Sequence, residues 1–404
     1  MAMAMPSSRS ELSLKEKALF KYTQERNYEE VKRLITEEEN IYVDCVDAEG
    51  MTPLQHAAYK GCTKLCKLLL DCGADVNYTR QVSRYTALTF ACVAGKADVV
   101  RLLLEYGAST SNVTSINKTS AQMAAFVGNH HIVSIINNFI PIQEIEYFNR
   151  IQGLETEPRL PPTMNTIVHK MAIMTNINPV RLIMYVQSNP VLLHSVRKVV
   201  RVFNAMAEKY LRVENNDLLS LKFHHLAYVL SACEKYYIEH VSAEESERKS
   251  IRECLNPFIK YLIKGDVNGF PVNLEKFLRQ DIQRYPFVEC HLFLQLVRTL
   301  SPVEIGGEPS AISIIGEAVN GQRMSDNTCI CSTCWEPNAE KKCSVCKSVQ
   351  YCDKACQKMH WFTHKLICPH LTKLNEGVEK LHLESNFYEK DPNAPGQPGC
   401  SSRS

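Results

Sequence analysis

The chain has 404 residues, enough for two or three domains, and 45% of them are hydrophobic. Its 46 basic and 44 acidic residues give a net charge of +2, so there is no electrostatic case for a nucleic-acid partner. No apolar run approaches the length of a membrane span. The odd number of cysteines, 17, and the lack of a secretory signal favour a reducing, cytoplasmic compartment over a disulfide framework.

A repeated pattern fills the N-terminal third of the chain. Ten-residue segments that begin at Thr52, Thr86 and Thr119 share a central alanine and a final glycine, and the threonines are 34 and 33 residues apart. This period and pattern resemble the ankyrin repeat, which implies a solenoid of helix pairs. The threonine hydroxyls are expected to cap the first helix of each pair, and Gly73 and Gly107 to adopt the left-handed conformation after the second.

We predict ankyrin repeats over residues 12–140, as an atypical cap repeat followed by three repeats at about 45–77, 79–111 and 113–140. The first unit lacks the threonine start and is rich in charge, which is typical of a polar end repeat that seals a solenoid. In the second repeat, Gln81 and Arg84 replace the aspartate and glycine of the hairpin tip, which leaves the conformation of that tip open.

Ankyrin arrays bind partner proteins through their hairpin tips and inner helices, and the resemblance implies the same surface here. By repeat position this surface includes eight residues: Met51, Tyr59, Lys60, Tyr85, Val93, Lys118, Phe126 and Val127. Several are apolar or aromatic, and aromatic residues and methionine are enriched at the cores of interfaces. The alternative is that some of them pack against the next repeat or against the middle of the chain.

The middle of the chain, residues 145–300, is predicted to be helical because its apolar residues keep a three-four spacing. Five to seven helices of ordinary length fit there, as a continued solenoid or a small bundle. Asn178-Pro179 is a predicted helix start. No second ligand cluster stands near His224-His225, which we interpret as ordinary surface or boundary histidines. Residues 301–328, rich in glycine and proline, are a predicted linker that lets the next module move.

Four ordered pairs of metal ligands follow the linker. They comprise seven cysteines and one histidine: Cys331, Cys334, Cys343, Cys346, Cys352, Cys356, His364 and Cys368. Each pair can clamp one side of a metal and two pairs complete a tetrahedral zinc site, so eight ligands predict two closed, structural zinc ions. The metal supplies folding energy that so small a module lacks. Cys329 is left outside because a single residue separates it from Cys331.

The order of these ligands, with Tyr351 before the third pair and Trp361 before the histidine, resembles a MYND-type zinc finger over residues 329–371. The resemblance implies interleaved sites, with Cys331, Cys334, Cys352 and Cys356 on one zinc and Cys343, Cys346, His364 and Cys368 on the other. It also implies a protein-binding groove, often for proline-containing peptides, lined by Ser344, Gln357 and Trp361. The alternative for Trp361 is a role in the small core of the finger.

Enzyme motifs are missing from the sequence. There is no phosphate loop, nucleophile elbow or His-Glu-x-x-His motif. Some proteins with this finger are lysine methyltransferases with an Asn-His-Ser-Cys segment, whereas the nearest string here, Gly128-Asn129-His130-His131, lies in the ankyrin repeats. The sequence therefore predicts no catalytic residues and no enzymatic activity.

The whole chain is thus predicted to be mostly α-helical: an ankyrin solenoid, a helical middle, a two-zinc finger and a disordered tail at 391–404. This order resembles a family of ankyrin-repeat and MYND-finger adaptors. The resemblance implies binding of membrane signalling proteins, their trafficking to the cilium and a role in Hedgehog signalling. Two alternatives remain open: a ubiquitin ligase, because RING fingers also interleave their zinc ligands, and a nuclear transcriptional corepressor.

Overall fold

The computed structural model describes six stretches of the chain: residues 12–37, 41–151, 160–242, 250–320, 329–337 and 339–388. These stretches are built from helices joined by short turns, with one two-stranded sheet. The mostly helical fold predicted from the sequence is confirmed. The predicted tail at 391–404 lies outside the described residues. None of the helices in the described stretches combines the length and apolar character needed to cross a bilayer.

Four stacked helix pairs form the N-terminal array. Their bounds are α1 (Leu14–Gln24), α2 (Tyr28–Glu37), α3 (Pro53–Lys60), α4 (Thr63–Asp71), α5 (Ala87–Val93), α6 (Ala97–Glu105), α7 (Ser120–Val127) and α8 (His130–Asn138). The first helices of the pairs, α1, α3, α5 and α7, pack side by side, and the second helices do the same. Buried alanines such as Ala57, Ala91 and Ala124 let neighbouring helices approach closely, and leucines of the second helices complete one continuous core.

The caps of this array are those predicted from the sequence. The hydroxyl oxygens of Thr52, Thr86 and Thr119 each accept a hydrogen bond from the backbone N–H three residues later, at 3.3, 3.1 and 3.3 Å. Gly73 and Gly107 have φ angles of +87° and +83°, which a residue with a Cβ rarely adopts. The pairs α3–α4 and α5–α6 therefore begin and end where the repeated residues place their boundaries, and α7 begins at the equivalent position.

The hairpin tip of the second repeat keeps the turn of the first, although its residues differ. The N–H of Gly50 donates to the Asp47 carbonyl at 3.0 Å, and the N–H of Arg84 donates to the Gln81 carbonyl at 3.0 Å. Arg84 adopts the left-handed conformation that Gly50 adopts, with φ angles of +53° and +76°. The turn thus tolerates an arginine in place of glycine, at a cost of roughly 1–2 kcal/mol.

The helices that follow form a separate bundle, which we call the helical body. Their bounds are α9 (Ile142–Asn149), α10 (Pro162–Ala172), α11 (Pro179–Ser188), α12 (Val191–His194), α13 (Val196–Arg212), α14 (Asp217–His240), α15 (Ile251–Leu262), α16 (Val272–Gln283), α17 (His291–Leu300) and α18 (Ala311–Asn320). The described helices are more numerous than expected, partly because α12 is a single turn. As predicted, Asn178 caps α11 and Pro179 is its first residue.

The centre of the helical body is the hairpin of α13 and α14, the two long helices that pack most extensively against each other. The ring of Tyr210 stacks on that of Phe223 with centroids 5.6 Å apart, and the ring of Phe203 packs against Phe223 at the same centroid distance of 5.6 Å. The apolar core around this hairpin is distinct from the core of the ankyrin array. The middle of the chain is therefore a bundle and not a continued solenoid.

The linker predicted at residues 301–328 is wrong for its central part, because residues 311–320 form the buried helix α18. The backbone N–H of Ala311 donates to both carboxylate oxygens of Glu275, at 3.0 and 2.9 Å, and Arg279 binds the same carboxylate at 2.8 Å. Asn138 of the last ankyrin helix donates to the Val319 carbonyl at 3.1 Å. The apolar run of α18 outweighs the glycines and prolines that precede it; residues 321–328 are not described.

The interpretation of His224-His225 as surface or boundary histidines is wrong for His225, which is 2% exposed. Its Nδ1 lies 2.5 Å from the Asp281 carboxylate, and its Nε2 donates to the Ile177 carbonyl at 2.8 Å. Burial by itself would lower the pKa of His225, but the charge of Asp281 and these hydrogen bonds raise it above its ordinary value. The two side chains form an ion pair inside the helical body.

Candidate metal centres and protein-binding surfaces

A small hairpin and the last helix build the zinc-ligand region. Strands β1 (Lys341–Lys342) and β2 (Gln350–Tyr351) pair in antiparallel register, and α19 (Lys354–Tyr388) follows. The first two ligand pairs sit in matching turns: the N–H of Trp335 donates to the Cys331 carbonyl at 2.9 Å, and that of Lys347 to the Cys343 carbonyl at 3.0 Å. Trp335 and Lys347 both adopt positive φ angles, 61° and 57°. Each turn points its two thiols towards one point.

The eight ligands gather into two groups of four. One contains Cys331, Cys334, Cys352 and Cys356, and the other contains Cys343, Cys346, His364 and Cys368. Within each group all ligand atoms lie within 4.8 Å of one another. The interleaving implied by the resemblance to MYND fingers is therefore confirmed. Cys329 is exposed and belongs to neither group.

The spacing of the ligand atoms fits two zinc ions. A tetrahedral zinc with Zn–S bonds of about 2.3 Å has S–S edges of about 3.8 Å. The Cys356–Cys334 and Cys343–Cys368 sulfur pairs are 3.8 and 3.9 Å apart, and no disulfide joins them. The Nε2 of His364 lies 3.4 and 3.6 Å from two cysteine sulfurs, which makes Nε2 the ligand atom. Two structural Zn²⁺ ions with complete sets of protein ligands follow from this geometry.

Residues outside the ligand set support the two centres, and sequence reasoning did not assign them. Tyr351 is fully buried, and its hydroxyl donates to Nδ1 of His360 at 3.1 Å. Burial, with the neighbouring His364, lowers the pKa of His360 to about 4, so the ring stays neutral and accepts this bond. Asn375 donates to the Cys346 carbonyl at 2.7 Å. Of these three supporting residues, only Tyr351 could be singled out from the sequence, because it belongs to the MYND pattern.

The finger is docked on the helical body. Asn176 donates to the Cys334 carbonyl at 2.9 Å, and the backbone N–H of Gly265 donates to the Thr363 hydroxyl at 3.0 Å. A Cβ at Gly269 would lie 2.8 Å from Ile367, so the side chain of this α19 residue rests directly on the backbone of the body. The finger and the body share one apolar core.

The three residues predicted to line the peptide groove lie on the finger with different exposures. Ser344 is exposed, Gln357 is partly buried, and Trp361 is 47% exposed. The indole of Trp361 lies 5.9 Å from the His364 ring. The Trp361 side chain is thus partly exposed to a ligand and packs beside a zinc ligand. Their assignment to a groove stays a prediction.

The ankyrin residues predicted to contact partners also differ in exposure. Phe126 is 87% exposed and Tyr59 is 50% exposed, whereas Met51 and Tyr85 are partly buried. Phe90, which sequence reasoning missed, lies between the two tyrosines: its ring centroid is 5.4 Å from that of Tyr85 and 6.3 Å from that of Tyr59. An aromatic cluster therefore continues the surface between the first and second full repeats.

Comparisons with known proteins agree with this architecture. Models of ankyrin repeats match residues 5–80 and 83–118, and a model of the MYND finger matches residues 331–368. Dauer abnormal formation protein 25 of Caenorhabditis elegans is 33% identical over 82% of this chain and 84% of its own length. This match is longer than any single module of the chain.

Other relatives match only parts of the chain. The 26S proteasome non-ATPase regulatory subunit 10 of Dictyostelium discoideum is 39% identical over 23% of this chain and 40% of its own length. The histone-lysine N-methyltransferase ASHR1 of Arabidopsis thaliana is 42% identical over 13% of this chain and 11% of its own length. Both similarities are confined to single modules, so neither relative's activity carries over.

Proposed function

Since this chain belongs to the family of ankyrin-repeat and MYND-finger proteins that includes Dauer abnormal formation protein 25, we propose that it is a non-enzymatic adaptor that holds two partner proteins at once. Ankyrin repeats and MYND fingers are interaction modules. Two ligands on one chain raise each other's effective concentration without any new contact. The proposal rests mainly on one observation: exposed aromatic residues lie on both modules, Phe126 and Tyr59 on the array and Trp361 on the finger.

The finger is proposed to bind a proline-containing peptide. Its docked side faces the body through Thr363 and Ile367, which leaves the half-exposed Trp361 accessible. An indole with one exposed face is a suitable platform for a proline ring. The ankyrin array is proposed to bind a second protein through the surface that contains Phe126 and Tyr59.

From the family resemblance, we propose that one of the two partners is a membrane signalling protein. The adaptor would take part in the trafficking of this membrane protein to the cilium and would thereby affect Hedgehog signalling. It would act in the cytoplasm and in the cilium. Affinity purification with mass spectrometry from ciliated cells, using the full chain, tests this. Recovery of ciliary membrane proteins supports the proposal; a set dominated by E2 enzymes and ubiquitin would favour the ligase alternative instead.

Replacing Trp361 by alanine should weaken capture of the proline-containing partner at least 10-fold, because a buried indole at an interface commonly contributes 2 kcal/mol or more. Binding of a labelled peptide from that partner would be followed by fluorescence anisotropy. The zinc content should stay at two ions per chain, measured by mass spectrometry of the metal. Leu366→Ala, on another face of the same helix and 73% exposed, is the control. Loss of zinc from the Trp361 variant would assign the indole to the core instead.

Phe126→Ser should abolish co-purification of the proteins that bind the ankyrin array, while the proteins that bind the finger should still co-purify. Phe126 is 87% exposed, so the substitution should change the melting temperature little. Ile238→Ser, an exposed apolar residue on α14, serves as the control for a generic change in surface hydrophobicity. If the Phe126 and Trp361 variants lose the same partners, the two surfaces do not act separately and the adaptor proposal fails.

A further inference from the structure

We propose that the helical body contains a binding site for an oxyanion, a phosphate or carboxylate carried on an apolar or aromatic group. The site is a cleft between α13 and the turn that follows α16, with a volume of about 620 Å³. This volume lies in the range of sites that hold small molecules or single side chains. All of its lining residues belong to the helical body and none to the ankyrin array or the finger, so this site is independent of the adaptor function proposed above.

Two arginines line the cleft from opposite walls. Arg201 comes from α13 and Arg284 from the C-terminal end of α16, and both are exposed. Neither has a carboxylate partner within 4 Å among the described residues. The guanidinium of Arg284 lies 5.6 Å from the centre of the Tyr228 ring, a contact that restrains its orientation. Planar guanidinium groups donate paired hydrogen bonds that match the oxygens of a phosphate or carboxylate.

One carboxylate also lines the cleft, and its charge is already paired. Glu208 of α13 forms an ion pair with Arg212, one turn further along the same helix, with 3.2 Å between the carboxylate oxygen and Nε of the arginine. The guanidinium of Arg212 lies 5.7 Å from the ring centre of Phe287, which belongs to the opposite wall. The side chains that line the cleft therefore carry two positive charges, on Arg201 and Arg284, and one negative charge that Arg212 neutralises, and this excess favours an anion.

The floor of the cleft is His224. Its Nε2 donates to the Asp281 carbonyl at 3.2 Å, and its Nδ1 bonds no described residue. A cavity of about 10 Å³ lies behind this ring, lined by Lys222 among others. The amine of Lys222 is fully buried and finds no hydrogen-bond partner in the described part of the chain. The carboxylate of Asp281 also lines this cavity, 3.4 Å from Nε2 of His224. The two arginines, and not the groups behind His224, therefore have to hold the anion.

The apolar residues of the lining indicate which chemical group is attached to the anion. Phe287, Pro286 and Ala205 present apolar surface beside the arginines. A ligand that combines a ring with an oxyanion would satisfy both parts of the lining. Phenyl phosphate and phenylacetate are therefore suitable probes for the phosphate and carboxylate sources, and phenol is the neutral comparison.

The test is a titration of the zinc-loaded full chain with each probe at low salt, followed by ligand-observed NMR. Phenyl phosphate or phenylacetate should bind with a Kd of a few millimolar or better, and the tighter of the two identifies the source of the anion. Arg201→Gln and Arg284→Gln should each weaken binding about 10-fold, whereas Arg298→Gln, exposed on α17 and outside the cleft, should not. Binding should also weaken at high salt.

Three results would overturn the proposal. The first is the lack of saturable binding of either anionic probe at concentrations up to about 10 mM, well above the expected Kd. The second is equal affinity for phenol, which would make the cleft merely apolar. The third is equal affinity of the Arg201 and Arg284 variants and the Arg298 control. Matching far-UV circular dichroism spectra would show that the exposed arginines can be replaced without unfolding the chain.

Discussion

Replacing Cys343 and Cys346 by serine will unfold the finger and will also destabilise the helical body. Binding of a structural zinc contributes to folding on the order of 10 kcal/mol, and this substitution removes two ligands of one site. The change will reach the body because Gly265 loses its bond to Thr363 and the surface around Gly269 loses Ile367. Hydrogen exchange should speed up throughout residues 331–375 and, to a smaller extent, at residues 263–270.

The ankyrin helices α3 to α7 should keep their protection in the same experiment, since their core is separate from the one that the finger shares with the body. Cys329→Ser is the matched control, because Cys329 is exposed and outside both ligand groups. Unchanged exchange in the finger after complete loss of zinc would contradict the structural role of the metal. Unchanged exchange at 263–270 alone would show that the docking contacts contribute little to stability.

Replacing Lys222 by methionine should stabilise the helical body. Burial lowers the pKa of the Lys222 ammonium from 10.5 to about 7, so the folded chain releases a proton that the unfolded chain keeps. The unfolded state binds more protons between about pH 7 and 10.5, and stability therefore rises with pH across that window. Below pH 7 the cost of burying the charge is fully present. Methionine has a similar volume and no charge.

The expected gain is of the order of 4 kcal/mol at pH 7 and about 2 kcal/mol at pH 9. Urea unfolding of the body at both pH values, followed by far-UV circular dichroism in zinc-containing buffer, measures the difference between variant and wild type. Lys235→Met on the same helix, whose side chain is 70% exposed, should change stability by less than about 0.5 kcal/mol. If the variant's gain in free energy of unfolding does not become smaller as the pH rises, or if the variant is less stable than the wild type at pH 7, then burial of the Lys222 charge does not destabilise the wild type.

The sequence was sufficient where structure follows from local chemistry. Threonine caps and left-handed glycines define the ankyrin helices without reference to distant residues, and the ligand spacing at Cys331-x2-Cys334 predicts a metal-binding turn by itself. The pairing of the four ligand pairs is different, because it depends on how the hairpin and α19 fold together. Only the family resemblance predicted it, and the two ligand groups confirm it.

Long-range packing explains what the sequence did not predict. The glycines and prolines of residues 301–328 indicated a mobile linker. The apolar face of α18 within this range is nevertheless buried, because it packs against α14, α16 and the last ankyrin helix. His225 gave no sign of its ion pair, since Asp281 is 56 residues away in the chain. The docking of the finger depends equally on distant partners, such as Asn176 with the Cys334 carbonyl.

The position of α18 has a consequence for how the protein is made. Its buried side chains at Ala311, Ile312, Ile315 and Val319 complete the core of a bundle whose other helices are synthesised earlier. During synthesis on the ribosome the ankyrin array can fold as soon as it emerges, whereas the helical body must wait for residues 311–320. A nascent chain stalled near residue 300 would present an open apolar seam to chaperones.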